Sequence, residues 1–170
     1  MNARGIPSRR GFLALATASL VLAGCGFELR KAPQFEFKTI AVPTNSAISN
    51  YLRRNLRGAG TVEVLPANRM DEAEAVLDIL SENRESVVIS TNAAGQVREL
   101  QLRLTVRFRV RGKGGKELLA PTVITQMRDI TYNETAALAK EGETELLFRD
   151  MQSDIAQQIV RRLAAAKAVA

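Results

Sequence analysis

Two residue types decide what chemistry this 170-residue chain can attempt: it has a single cysteine, Cys25, and no histidine. Without an imidazole there is no Ser-His or Cys-His nucleophile pair, and a zinc site loses its commonest nitrogen ligand. With one cysteine no internal disulfide can form, and a lone free thiol would be a liability in an oxidising compartment. The clustered glycines Gly112, Gly114 and Gly115 lie between two predicted strands, whereas a phosphate loop joins a strand to a helix. Glu141, Glu143 and Glu145 fall at a predicted polar helix start, where acids complement the helix dipole, and that role outranks acid-base catalysis. The inventory predicts no enzyme, no metal site and no cofactor.

What Cys25 can do is set by the residues before it. Arg4, Arg9 and Arg10 precede an uncharged apolar run over 12–23, and Gly24-Cys25 follows, which is the layout of an export signal. The run is twelve residues long, and a helix needs about 20 to cross a hydrocarbon core, so the segment is predicted to be removed rather than retained. Leu22-Ala23-Gly24-Cys25 resembles a bacterial lipobox, in which small residues fit the peptidase and the cysteine thiol is acylated. Each buried methylene adds about 0.8 kcal/mol, so two or three acyl chains hold such a protein stably on a membrane. Gly26 follows the cysteine; in similar lipoproteins aspartate there favours retention in the inner membrane, so Gly26 is read as permitting outer-membrane sorting. Ser8-Arg9-Arg10-Gly11-Phe12-Leu13 also resembles a twin-arginine export motif, and the basic start of an ordinary secretory signal fits it equally.

Loss of residues 1–24 lowers the formal charge from +6 to +3 and leaves 146 residues, enough for one domain with a single core. Residues 25–36, with Pro33 and mixed charge, read as a lipid-anchored tether, and residues 37–170 as the folded body. An alternating run over 37–42 predicts a strand, ended by Pro43. Residues 44–46 offer capping side chains to a helix in which Ile48, Tyr51, Leu52 and Leu56 recur at helical spacing, until Gly58 and Gly60 stop it. A short strand over 62–65 follows. From Ala75 the character changes to long strands: 75–80 and 87–90 as one strand, interrupted by a polar, bulged middle at 81–86; then 100–111; then 117–132. Turns at 92–95 and 112–115 are short, so these strands should form an antiparallel meander. Leu147, Met151, Ile155, Ile159 and Leu163 step by four in a C-terminal helix, the signature of a helix laid on a sheet, and residues 164–170 should fray. The expected fold is α+β: a mixed, largely antiparallel sheet of four to five strands with two helices on one face.

One strand stands out. Leu100, Leu102, Leu104, Val106, Phe108 and Val110 share one side, and Gln101, Arg103, Thr105, Arg107, Arg109 and Arg111 share the other, because same-parity side chains project together. Guanidinium groups bind phosphate in a forked, charge-assisted geometry, so four arginines in a row would suit an anionic headgroup. A solvated sheet face is the competing reading, since charge also discourages edge pairing. Nucleic acid is excluded as a partner by the export signal and by the lack of interleaved stacking aromatics.

The lipobox, the start Cys25-Gly26-Phe27-Glu28-Leu29-Arg30, the strand-helix-strand opening, the meander and the terminal helix together resemble the LPS-assembly lipoprotein family, LptE. The local tract that carries this best is Arg128, then Tyr132-Asn133, then Ala137-Leu138-Ala139-Lys140. The resemblance implies a lipoprotein on the periplasmic side of the outer membrane that plugs and helps to assemble the LptD β-barrel and binds lipopolysaccharide in transit. It implies Lys140 as a lipid contact, with Arg128 a second candidate. The hairpin near residues 92–95 should carry another basic residue, and this chain has Thr91, Asn92 and Ala93 there, with Arg98 the replacement if it points the same way. A plug role also gives the arginine face a second use, against the polar lumen of a barrel. The alternative reading is another periplasm-facing lipoprotein, a lipid-carrier or transport-system subunit.

Overall fold

The computed structural model describes residues 32–166. The predicted signal, Cys25 and the first part of the tether lie outside them, as do residues 167–170. Five strands form one sheet: β1 (Thr39–Ala41), β2 (Glu63–Leu65), β3 (Ala75–Thr91), β4 (Val97–Gly112) and β5 (Glu117–Thr131), in spatial order β2-β1-β3-β4-β5. The two main helices are α1 (Ala47–Ala59) and α2 (Ala137–Ala165). β1 runs parallel to both β2 and β3, while β3, β4 and β5 are antiparallel, so the sheet is mixed as expected.

Local chemistry sets the element ends. Ser46 caps α1, its hydroxyl accepting from the Ser49 amide, and Gly60 closes it at φ 69°, donating its amide to the Arg57 carbonyl. Only glycine takes that left-handed conformation without steric cost. Between the helix and the meander, a 3₁₀ stretch over Ala67–Glu72 links β2 to β3.

Because β-strand side chains alternate, neighbouring residues of β1 serve two different layers. Ile40 joins the main core beneath the helices, with Leu52, Leu104, Phe108, Met151, Ile155 and Ile159, while Ala41 joins a small second cluster with Leu65 and Ala73. Residues 32–36, expected to belong to a tether, are tied to this body: the Thr61 hydroxyl donates to the Pro33 carbonyl, and Phe35 stacks on Phe37 at 5.4 Å and packs on the core.

Two local expectations are corrected. β3 is one strand, as expected, and only the place of the bulge differs: the pairing with β4 is regular from Ser81 to Val88, so the stretch 81–86 is not bulged. The irregularities flank that stretch, at Leu80 and at Ile89, both exposed. The polar residues stay in register because their side chains find partners. Glu82 accepts from the buried Gln152, and Arg84 donates to Glu145 and lies over the Phe148 ring. Glu141, Glu143 and Glu145 are not at the helix start. α2 begins at Ala137, behind a 3₁₀ turn over Glu134–Ala136 in which Asn133 Oδ1 accepts from the Thr135 amide. Glu143 and Glu145 pair with side chains instead of the dipole: Glu143 with Lys140, Glu145 with Arg84 and Arg149.

Candidate functional site

The predicted site residues divide between two ends and two sides of the meander. At the proximal end of β4, Arg109 and Arg111 converge on Asp78 of β3. Arg111 makes bonds of 2.6 and 3.1 Å and Arg109 one of 3.0 Å, and the Asp78 side chain is only 16% exposed. The Arg111 hydrogen bond, against the cost of burial and with help from Arg109, holds the Asp78 carboxyl below its usual range, and the same pairing raises Arg111. The signal for this cluster was present in the sequence: Asp78 interrupts the apolar run Ala75-Val76-Leu77-Asp78-Ile79-Leu80, and a carboxylate there needs a cation. It was not read.

Further along the same face, Arg103 Nε donates to Gln101 Oε1 at 2.8 Å, and Gln101 in turn donates to Asp129. Thr105 and Thr125 meet across the strands at 3.2 Å. Arg107 stands between Ser81 and Val123 in the register and has no polar partner among the described residues. The stripe is therefore uneven: two arginines are consumed by Asp78, one is held by an amide, and one is open.

Arg128 is not part of that face. It is paired in register with Leu102, which is buried under α2, and so projects to the helix side, where it bonds Asp154 at 3.1 Å. Lys140 and Arg98 both lie toward the distal end, Lys140 outside the cleft that Arg98 lines. Glu99 and Thr131 are register partners there, and Lys140, its side chain 19% exposed, donates from its ammonium to Glu143 at 2.7 Å and to Thr131 at 3.3 Å. Arg98 is the extra residue on β4 where Ser90 and Thr91 oppose Glu99 and Val97, and such a bulge re-aims a side chain. It lines a cleft with Gln96, Val97, Tyr132, Asn133 and Thr135, and its guanidinium has no partner among the described residues. The hairpin beside it is closed by Asn92, whose Oδ1 accepts from the amides of Ala94 and Gln96.

Thirteen residues separate Arg98 from Arg111, roughly 40 Å along an extended strand. The structure thus brings Arg98 and Lys140 to one end and removes Arg109 and Arg111 to the other. The distal pair offers an open guanidinium, a second cation that could exchange Glu143 for a ligand anion, and the hydroxyls and amide of Tyr132, Thr135 and Asn133. That combination can hold a phosphorylated, hydroxyl-rich ligand. Among the described residues no helix is long and apolar enough to cross a membrane.

Comparison with known proteins bears on the family and the fold. The family model described as "LptE: Lipopolysaccharide-assembly" matches residues 37–163. An LPS-assembly lipoprotein LptE of Pectobacterium atrosepticum is 32% identical over 156 residues, covering 89% of this chain and 83% of that protein. Among solved structures, lipoprotein B from Nitrosomonas europaea superposes with a TM-score of 0.69 at 30% identity, over 82% of this chain and 91% of that one. The rare lipoprotein B from Shewanella oneidensis gives 0.64 at 27% identity, over 75% and 95%. A five-stranded mixed sheet with two helices, matched from the first strand into the last helix, makes this chain a member of the LptE family of lipopolysaccharide-assembly lipoproteins.

Proposed function

We propose that this chain is an outer-membrane lipoprotein, acylated at Cys25 and facing the periplasm, that plugs and helps to assemble an LptD-type β-barrel and binds lipopolysaccharide on its way to the cell surface. It works by binding and scaffolding, without catalysis. The observation that carries the lipid-binding part is the distal cation pair: Arg98 open in its cleft and Lys140 one strand away on Thr131. A diphosphorylated saccharide is a better partner for Lys140 than the exposed Glu143 carboxylate, because two phosphates present more charge and more acceptors than one carboxylate. The polar open face of β4, with Arg103, Thr105 and Arg107, suits the hydrophilic lumen of a wide barrel. Arg128, tied to Asp154 on the helix side, is a weaker contact that acts by holding α2 over β5.

Two measurements test this reading. Arg98→Glu combined with Lys140→Glu should lower lipopolysaccharide capture by the purified protein about tenfold or more, the scale set by losing two charge-assisted contacts. Equal capture by wild type and the double variant would remove the lipid-binding assignment. For the barrel, mild detergent extraction of tagged protein should recover a large β-barrel in stoichiometric yield, and recovery of the lipoprotein alone would remove the plug.

A further inference from the structure

The two outer strands of the meander are guarded very differently. An exposed strand edge is a row of unpaired backbone donors and acceptors, and proteins blunt it with proline, charge, bulges or a covering element. β5 has such guards. Pro121 lacks an amide proton, the pairing with β4 is irregular between Leu119 and Thr122, and at the far end Lys140 of α2 reaches over Thr131. α2 itself packs on β4 and β5.

β3 lacks them. β1 is three residues long and pairs with β3 only at Ala75 and Val76, so from Leu77 to Thr91 the outer edge of β3 has no strand beside it among the described residues. That is an edge of roughly 50 Å. Its middle, residues 81–88, is straight and regular against β4. Three charges lie in this run, and two are engaged by α2 on the helix side: Glu82 with Gln152 and Arg84 with Glu145. Residues 86–91 carry no charge and no proline. Val88 is 49% exposed and Ile89 44%. Leu138, 85% exposed, stands seven residues before Glu145 and so on the same shoulder of α2, the one that meets Arg84 of β3.

From this we infer that the outer edge of β3 over residues 81–88 is a strand-addition site for an extended segment of a partner polypeptide. The repeat of free amides and carbonyls along the edge is complementary to another extended backbone and to no lipid or saccharide. Side chains add a second requirement. Val88 and Leu138 offer an apolar step on the helix side, while Glu85, without a polar partner among the described residues, faces the open side. The incoming strand therefore alternates, with an apolar residue toward Val88 and a cation or neutral donor toward Glu85. A second copy of this chain is a poor occupant. Two-fold antiparallel self-pairing about the middle of this run, at Arg84 or Glu85, sets that residue against its own copy, and like charges directly opposite are destabilising.

The test uses full-length acylated protein in two states, purified alone and in the native assembly extracted in mild detergent. Hydrogen exchange of the outward β3 amides over 81–88 should be at least about tenfold slower in the assembly, while the β5 amides near Pro121 stay unchanged, since pairing protects only the edge that is occupied. A photo-crosslinking residue placed in turn at 84, 86 and 88 should capture successive alternate residues of one polypeptide segment, in order. Val88→Lys with Ile89→Lys should reduce that crosslink about tenfold, whereas Val123→Lys on the open face leaves it intact. Equal exchange in both states overturns the proposal, as does capture of lipid, of a second copy of this chain, or of residues in no order. If the double lysine variant fails to fold, the exchange and crosslinking arms decide alone.

Discussion

On the helix side of β4, Leu102, Leu104, Val106, Phe108 and Val110 are all buried in one core, whereas on the open side Arg103, Thr105, Arg107, Arg109 and Arg111 meet four different fates. Both rows read as regular stripes in the sequence. They diverge because apolar burial is non-directional and grows with area, so every member of the apolar row contributes alike. A guanidinium acts through a particular acceptor at hydrogen-bond distance, so each arginine is worth what its neighbour makes of it. Asp78 turns Arg109 and Arg111 into scaffold, Gln101 holds Arg103, and Arg107 is left to a partner.

Substitutions that strike one row at a time sharpen this contrast. The largest effect belongs to Phe108→Ala, which opens a void under α2 and should cost about 3–5 kcal/mol in denaturant unfolding of the purified domain. If Phe108→Ala proves mild, the helix side is not the continuous core described. Next comes Asp78→Ala, which strips two arginines of a half-buried acceptor and should cost about 2 kcal/mol, the scale for hydrogen bonds to charged groups. A loss no larger than that of an ordinary surface change would mean the Asp78 cluster is decorative.

The same cluster predicts a pH dependence. The folded Asp78 carboxyl titrates below its ordinary value, chiefly through the Arg111 hydrogen bond. Its contribution is complete above the unfolded carboxylate pKa of about 3.9 and is lost as pH falls through the lower folded value. Asp78→Asn should therefore flatten part of the acid limb of the stability curve, and an unchanged limb relative to wild type would refute the assignment. The smallest effect on folding belongs to Arg107→Glu, within about 0.5 kcal/mol by thermal unfolding, since the side chain has no partner to lose. Its consequence should appear instead in retention by the barrel; if the substitution destabilises the isolated domain by several times that amount, Arg107 is structural after all.

Much of the fold follows from local rules that a single sequence displays. Ser46 and Gly60 mark the ends of α1, strict alternation marks β4, and four-residue steps mark α2, because capping, pleat and helical period are properties of a chain segment with itself. The absence of histidine and the single cysteine likewise restrict the chemistry before any folding occurs. The order β2-β1-β3-β4-β5, by contrast, depends on which segments meet across dozens of residues, and the regular pairing of 81–88 depends on Gln152 and Glu145 arriving from α2. Only the tertiary structure could separate Arg128 from the arginine face, occupy Arg109 and Arg111 with Asp78, and bring Arg98 and Lys140 to one end. A residue's type limits what it can bind, but its availability is set by neighbours that lie close in space and far apart along the chain.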